Sequence, residues 1–261
     1  MNTPLTANHD LPFVVLSYVI SAVGAFVALT AIAQMRSTAG RQARLLNLLA
    51  AAVSLGGIGI WAMHFIGMLS LRLGMGVSYS LPETLVSLLA AIAASGVALG
   101  WVSRKRSLVR LLGGGLMLGT AVLLMHYLGM YGMRFNGFFQ WSAGLVGASV
   151  AIAYGAAIAG LWLAFSAPSL PLRTAASLVI GVAVCAMHYT GMAAAGFVCT
   201  SPNPAAFPTG TGLVTSMELP VLVTTLSLGM TVVIAIDQFF QRFGSKSQAS
   251  LQRAHLARQA R

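Results

Sequence analysis

Met63-His64-Phe65-Ile66-Gly67-Met68, Met125-His126-Tyr127-Leu128-Gly129-Met130 and Met187-His188-Tyr189-Thr190-Gly191-Met192 are three copies of one short motif. The step from one histidine to the next is 62 residues in both intervals. Each copy lies inside an apolar segment long enough to cross a bilayer, for which about 20 residues suffice. Ionisable side chains at membrane depth are rare and costly, so each histidine is a functional candidate by default. The repeat therefore predicts both a membrane protein and a site.

The composition agrees with a membrane protein and argues against catalysis. Hydrophobic residues make up 57% of the 261 positions and charged residues only 7%, whereas soluble domains carry about 25% charged residues. The carboxylates are far apart in sequence, so no paired acid/base site is visible, and neither a phosphate-binding loop nor a nucleophile motif is present. We therefore expect no enzyme activity. The net charge of +11 is better explained by basic residues in the loops of a membrane protein than by nucleic-acid binding. Nucleic acid is therefore not an expected partner.

Apolar runs predict an all-α membrane protein with seven transmembrane helices. The expected spans are Phe13–Gln34, Leu45–Leu71, Leu85–Val102, Leu111–Met133, Trp141–Ser166, Leu172–Gly196 and Leu219–Phe240. They form one membrane domain over residues 10–241, which is followed by a short basic tail over residues 242–261. Membrane lipid is therefore the first expected partner.

The distribution of Lys and Arg predicts the orientation of this domain. Thirteen of the 15 basic residues fall in the loops of one side or in the C-terminal tail, and only Arg72 and Arg134 fall on the other side. The positive-inside rule then places the N-terminus outside and the C-terminus in the cytoplasm, as in a multi-pass protein of the inner membrane. Arg72 and Arg134 each follow a histidine by eight residues, or about 12 Å of helix. The histidines are thus expected at one depth, near the outer face.

The 62-residue unit contains one outward and one inward helix. Three units account for the second to the seventh span, and the first span is an additional helix. Units that hold two spans keep the same orientation, so they are related by an axis along the membrane normal. Such symmetry permits the three histidines to converge on one axis.

The repeated side chains form a soft-to-borderline set of metal ligands. Residues four apart share a helix face, so each histidine points with the methionine that follows it, while the methionine before it points about 100° away. Imidazole with thioether, and without a carboxylate, suits copper better than magnesium, calcium or manganese; zinc is less favoured, and haem iron is compatible with the donors. The candidate ligands are His64, Met68, His126, Met130, His188 and Met192, with Met63, Met125 and Met187 beside them. The alternative is a triplicated structural helix whose histidines only bridge helices.

The motif resembles that of the MHYT domain family of bacterial integral membrane sensors. Met187-His188-Tyr189-Thr190 spells the family signature, whereas the second copy departs at Leu128 and the first at Phe65 and Ile66. The resemblance covers residues 10–241. It implies copper binding by the repeated Met and His residues near the outer face, and sensing of oxygen, carbon monoxide or nitric oxide. Many members carry a cytoplasmic output domain after the last span, and residues 241–261 are too few for one.

Three functions compete on this basis. The first is a copper-dependent sensory module that signals to a separate cytoplasmic partner. The second is copper transport, copper delivery or assembly of an enzyme at the outer face. The third is a structural membrane subunit whose histidines only join helices. Metal content and metal flux separate these hypotheses, because a sensor binds the ion without transporting it.

Overall fold

Seven helices follow the seven apolar segments of the sequence. The structure, a computed structural model, describes residues 3–38, 40–105 and 107–237. Each helix is long and apolar enough to cross a membrane, which confirms the seven predicted spans. The predicted basic tail, 242–261, and the last residues of the seventh predicted span lie outside the described residues. The helices are α1 (Leu11–Ser37), α2 (Arg41–Leu69), α3 (Leu81–Arg104), α4 (Leu108–Gly132), α5 (Ala143–Ser166), α6 (Leu170–Ala193) and α7 (Leu219–Asp237).

Local sequence explains where several of the helices begin. Proline occupies the second position of α1, α3 and α6, as Pro12, Pro82 and Pro171. Its fixed φ and missing N–H suit the first turn of a helix, where the N–H has no partner within the helix. Helix α4 begins after Ser107, whose hydroxyl accepts a hydrogen bond from the backbone N–H of Arg110. These signals place the starts of four helices.

The first six helices form a closed ring. Each packs against the next in chain order, and α1 packs against both α2 and α6. Helices α2, α4 and α6 also contact one another across the ring. Large apolar side chains remain on the outside, such as Leu89 of α3 and Leu124 of α4, which are 66% and 65% exposed. This exposed apolar surface suits lipid. The three motif-bearing helices belong to the ring and meet one another inside it.

Within the part of the chain that the structure describes, eight short strands cover one end of the bundle, a feature that the helical prediction did not include. They lie before α1 and in the connections that follow α2, α4 and α6, and form three antiparallel sheets ordered β1-β7-β6, β2-β3 and β5-β4-β8. The strands are β1 (Thr3–Leu5), β2 (Asn8–His9), β3 (Leu71–Arg72), β4 (Val77–Ser80), β5 (Met133–Phe135), β6 (Gly137–Trp141), β7 (Ala195–Cys199) and β8 (Leu213–Thr215). They end α2, α4 and α6 one to three residues earlier than predicted.

Helix α2 differs from its two counterparts in its middle. Residues Val53–Ala62 are π-helical and lead directly into Met63 and His64, whereas α4 and α6 are α-helical throughout. Ser21 of α1 donates a hydrogen bond of 2.8 Å to the carbonyl oxygen of Gly59 within this segment. Wide turns of this kind are often found next to functional sites. The first copy of the repeat is therefore built differently from the others.

Candidate metal centre

The three repeated histidines meet in the centre of the bundle, near its strand-covered end. His64, His126 and His188 are each 0% exposed. Their ring centroids are 5.0, 4.9 and 5.2 Å apart, so the rings form a nearly equilateral triangle. The ring planes are 80–90° to one another, so each imidazole presents its edge to a neighbour. The convergence that the repeat permits is therefore present.

One nitrogen of each ring points into the triangle. Nδ1 of His64 lies 3.0 Å from Nδ1 of His188 and 3.1 Å from Nδ1 of His126, and one nitrogen from each ring lies within 4.8 Å of the other two. A neutral imidazole has either a hydrogen or a lone pair at Nδ1. His64 thus has a single hydrogen or lone pair to share between two neighbours. Three converging lone pairs are instead the arrangement that a metal ion requires.

The opposite side of each imidazole lies against a glycine from another copy of the motif. Nε2 of His64 faces Gly129, and the same relation joins the other two pairs in one direction around the triangle. A Cβ atom on any of these glycines would overlap the facing nitrogen. These glycines are therefore the seats of the imidazole rings, in the pairs His64–Gly129, His126–Gly191 and His188–Gly67.

The Nε2 atoms of the triangle are buried and have no hydrogen-bond partner among the described residues. An unpaired buried polar atom costs free energy, so such atoms call for an explanation. A metal ion at Nδ1 would fix the hydrogen on Nε2 in every ring, and the glycine seat leaves space for little more than that hydrogen. The inner Nδ1 atoms are therefore the ones that could reach a shared metal ion.

The six methionines of the motif are buried in the same core. The methionines that follow the histidines are 0–3% exposed, and those that precede them are 1–2% exposed. On helix geometry the following methionine lies one turn beyond its histidine, on the same face. Their assignment as ligands stays a prediction. They are Met68, Met130 and Met192 after the histidines, and Met63, Met125 and Met187 before them.

The aromatic residue of the motif joins neighbouring helices and does not enter the triangle. The Tyr127 hydroxyl is 2.7 Å from Ser149 Oγ on α5, and the Tyr189 hydroxyl is 3.0 Å from Ser17 Oγ on α1. Phe65 has no hydroxyl and packs against Trp61. Hydrogen bonds of this kind contribute about 0.5–1.5 kcal/mol each. They hold the ring of helices around the histidines.

A fourth histidine, which sequence reasoning missed, lies just outside the triangle. Nδ1 of His9 is 2.8 Å from Ser70 Oγ, and its ring stands edge-on to Tyr189 with centroids 5.3 Å apart. Partial burial lowers the pKa of His9 from its usual 6.5. The available signal was its place directly before the first span, on the side to which the three motifs were assigned.

Ion pairs neutralise both arginines at the strand-covered end. Arg72 lies 2.5 Å from the carboxylate of Asp10, and Arg134 lies 2.7 Å from that of Glu83. These carboxylates belong to the starts of α1 and α3, and so neither is part of the histidine triangle. Among the described residues, the group that could hold a metal ion therefore consists of the three imidazoles.

Comparison with known proteins agrees with these observations. A family model described as MHYT, the bacterial signalling protein N-terminal repeat, matches residues 57–115 and 119–177. The bifunctional diguanylate cyclase/cyclic di-GMP phosphodiesterase MucR of Pseudomonas aeruginosa is 34% identical over 262 residues, which cover 96% of this chain and 37% of that protein. The signalling protein YkoW of Bacillus subtilis is 33% identical over 149 residues, or 54% of this chain and 18% of that protein. The chain thus spans well under half the length of these relatives. No solved structure matches it.

Proposed function

We propose that this chain, which belongs to the MHYT family of bacterial signalling proteins, is a sensory membrane module that binds copper through its three clustered histidines. The observation that carries the proposal is the approach of the Nδ1 atoms to 3.0 and 3.1 Å inside a fully buried triangle. The six motif methionines are the further candidate ligands.

The distances from Nδ1 of His64 to Nδ1 of His188 and of His126, 3.0 and 3.1 Å, fit a single ion. Metal–nitrogen bonds are about 2.0–2.1 Å long, so one ion reaches two nitrogens that are up to about 4 Å apart. Soft thioethers beside imidazoles favour copper among the common metals, and no carboxylate contributes to the triangle. Nitrogens 3.0 Å apart leave no space for a porphyrin plane between them, so the triangle does not fit haem held by two of these histidines.

His64, His126 and His188 would hold the copper, which would supply an exchangeable coordination position for a diatomic gas such as oxygen, carbon monoxide or nitric oxide. The protein's own contribution is a dry approach for such a molecule. An apolar cavity of about 50 Å³ is lined by Ala, Gly, Ile, Leu and Val residues together with Met187, which precedes His188. One water needs about 10–15 Å³ of such space, and apolar cavities stay empty of water. A small apolar gas therefore suits the cavity better than a polar ligand does.

The basic residues support the predicted orientation, with the histidine end outside and the C-terminus in the cytoplasm of a bacterial inner membrane. Both arginines of the histidine end are in ion pairs with carboxylates. The same orientation gives the three two-helix repeats a common direction around an axis along the membrane normal.

The π-helical segment of α2 links the histidines to α7. Gly57 lies in this segment, and a Cβ atom there would be only 2.6 Å from Sδ of Met230 on α7. Ile58 and Ile234 of α7 line a common cavity. A ligand that favours one of two arrangements at His64 would therefore shift α2 against α7. We expect the output to be cyclic di-GMP turnover, the activity in the name of MucR, either in the same polypeptide or in a separate partner.

Metal analysis of the purified protein tests the proposal. After anaerobic loading with Cu(I), we expect stoichiometric copper in the wild type and loss of most of it in His64→Asn, His126→Asn and His188→Asn. The matched control is His9→Asn, which removes an imidazole from the neighbourhood of the triangle and should retain the copper. Carbon monoxide should then produce a C–O stretching band in the loaded wild type and in His9→Asn, but not in the three triangle variants. Wild-type protein that stays free of metal and is as stable as the variants would refute copper binding.

Copper delivery is the second candidate function, because methionines also line an outer cavity above the histidines. Under this hypothesis vesicles that contain the protein take up copper, or the copper passes to an acceptor protein at the outer face. A sensor instead holds the ion without flux. Under the structural alternative, the histidine variants lose stability while metal content stays at background in every protein.

A further inference from the structure

A second group of methionines lines an open cavity on the outer side of the histidine triangle. The cavity has a volume of about 600 Å³ and is bordered by Met68, Met75, Met133 and Met217. Met68 and Met133 are buried, at 1% and 3% exposure, whereas Met217 is 76% exposed. The thioethers therefore extend from the surface into the core. Of the four, only Met68 belongs to the repeated motif.

Hydrogen bonds hold the walls of this cavity in place. The N–H of Gly76 donates to the carbonyl oxygen of Pro204 at 2.9 Å, and the N–H of Ser216 donates to that of Val77 at 2.9 Å. The backbone of residues 206–207 approaches Gly76 so closely that a Cβ atom there would be 2.6–2.7 Å away. The two segments that enclose the cavity are thus joined by main-chain contacts, and the cavity is a built feature of the strand layer.

The floor of the cavity lies directly above the histidines. Met68 follows His64 by four residues on the same face of α2, or about 6 Å along the helix. Met133 is the first residue of β5 and directly follows the end of α4 at Gly132, six residues after His126. An ion on the cavity floor would be one or two helical turns from the triangle.

The lining favours a soft cation with a low charge. No carboxylate is among the described lining residues, and the charged lining residue, Arg72, is in an ion pair with Asp10. Burial raises the pKa of Tyr79, so its phenol stays neutral and offers no hard anionic ligand. Thioethers select Cu(I) over hard divalent ions. Methionine is also a common filler of core gaps, but these four side chains border open space and leave it unfilled.

We propose that this outer methionine cavity binds a soft monovalent cation, Cu(I) or its analogue Ag(I), and passes it to the three histidines. The binding step depends on the cavity alone, whereas the delivery step rests on the proposed function. The cavity would thus be the entry site for the metal from the outer side.

Titration of the full chain in lipid nanodiscs with Ag(I) tests the binding step. We expect one class of Ag(I) sites to lose affinity by about tenfold or more in the variant with Met75→Leu, Met133→Leu and Met217→Leu. Metal sites that have lost supporting residues usually weaken by this factor. The control variant carries Met35→Leu and Met117→Leu, which lie outside the cavity, and should bind as the wild type does. Unchanged Ag(I) binding in the triple variant would overturn the proposal.

Two further variants keep the result interpretable. Met217→Leu alone changes an exposed side chain and preserves the fold. If the cavity binds Ag(I), the affinity of this single variant must also fall, and misfolding cannot explain the fall. The triple variant His64→Asn/His126→Asn/His188→Asn should retain the Ag(I) ions of the cavity. Loss of these ions from the triple histidine variant would assign all Ag(I) binding to the triangle and reject the cavity site. If the cavity binds Ag(I) while the triangle takes no copper, the proposed function fails and the cavity site stands. Delivery predicts that copper loads more slowly into the triangle of the triple Met variant and reaches the same final content in the triangle.

Discussion

Gly129→Ala should weaken copper binding at the proposed centre without replacing a proposed ligand. Nε2 of His64 occupies the space in which the alanine Cβ would lie. Ordinary van der Waals contact begins at 3.4 Å, so the imidazole would have to move by roughly 1 Å, whereas functional sites tolerate only about 0.5 Å. Because the ring carries the Nδ1 atom shared between both neighbours, its displacement separates the converging nitrogens.

The size of the effect follows from two opposing terms. Overpacking of a filled core costs about 1–3 kcal/mol, and replacement of glycine by alanine within a helix otherwise gains about 0.5–1 kcal/mol. The net change in the free energy of unfolding is then a loss of up to about 2.5 kcal/mol. Copper affinity should fall by about 10- to 100-fold, as it does when the support of a ligand is removed.

The assay compares Gly129→Ala with Gly147→Ala, in which the same substitution is made on α5 at a glycine with no neighbour within 4 Å. Copper is quantified by competition with a chelator, and the free energy of unfolding by denaturation in detergent. The double variant His64→Ala/Gly129→Ala removes the overlapping ring and should recover stability relative to the sum of the single changes, but not copper. Copper affinity and stability in Gly129→Ala equal to those in Gly147→Ala would show that the imidazole does not use this glycine as its seat.

Three other predictions concern the surroundings of the triangle. Tyr127→Phe deletes the hydrogen bond to Ser149 and should lower the free energy of unfolding by about 0.5–1.5 kcal/mol with unchanged copper content; loss of the metal would instead make the phenol part of the centre. Arg134→Gln breaks the half-buried pair with Glu83 and should destabilise the protein by no more than about 1 kcal/mol, with an effect that shrinks at high salt in denaturation curves. Because the pKa of His9 is lower in the folded chain, the unfolded chain binds more protons just below pH 6.5, and the stability that neutral His9 contributes is complete above pH 6.5 and is lost as the pH falls. His9→Gln should remove that part of the pH dependence of the free energy of unfolding. A stability–pH curve that runs parallel to that of the wild type would contradict this prediction.

Hydropathy was sufficient for the helices because each span needs a long apolar run. The fifth helix ends at Ser166 as predicted, and its start at Ala143 differs by two residues from the predicted Trp141. The strands escaped prediction for a physical reason. They are two to five residues long, and their partners come from distant connections, as in the pairing of Thr3 with Cys199. Short runs of this kind contain no periodic signal that distinguishes them from loops.

The repeat identified the three histidines that converge, but it could not supply the geometry of the centre. The ring contact of His64 with Gly129 joins residues 65 positions apart, and that of His188 with Gly67 joins residues 121 apart. Only the closure of the helix ring sets these pairs. The choice of Nδ1 as the inner nitrogen follows from the same packing, since Nε2 is the atom pressed against glycine. Sequence spacing fixes the face of a helix and leaves the neighbour on that face undetermined.

The position of α1 shows why a threefold sequence repeat does not give a threefold structure. By the repeat, the third unit consists of α6 and α7, yet α1 packs against both α6 and α2 and closes the ring. Tyr189 accordingly reaches Ser17 on α1, where Tyr127 reaches Ser149 on the second helix of its own unit. Helix α7 is left to pack at the π-helical segment of α2.

This asymmetry gives the centre a direction in which a signal can travel. Three equivalent helices around a metal would respond alike to a bound ligand, and none would be singled out for an output. Here α2 alone combines a triangle histidine, a π-helical segment and the Gly57 contact with Met230. A π-helical segment that reverts to α-helical turns changes the facing of every residue beyond it. A small shift at His64 is therefore expected to reach α7 through α2, because packed interfaces switch between discrete arrangements and do not deform continuously.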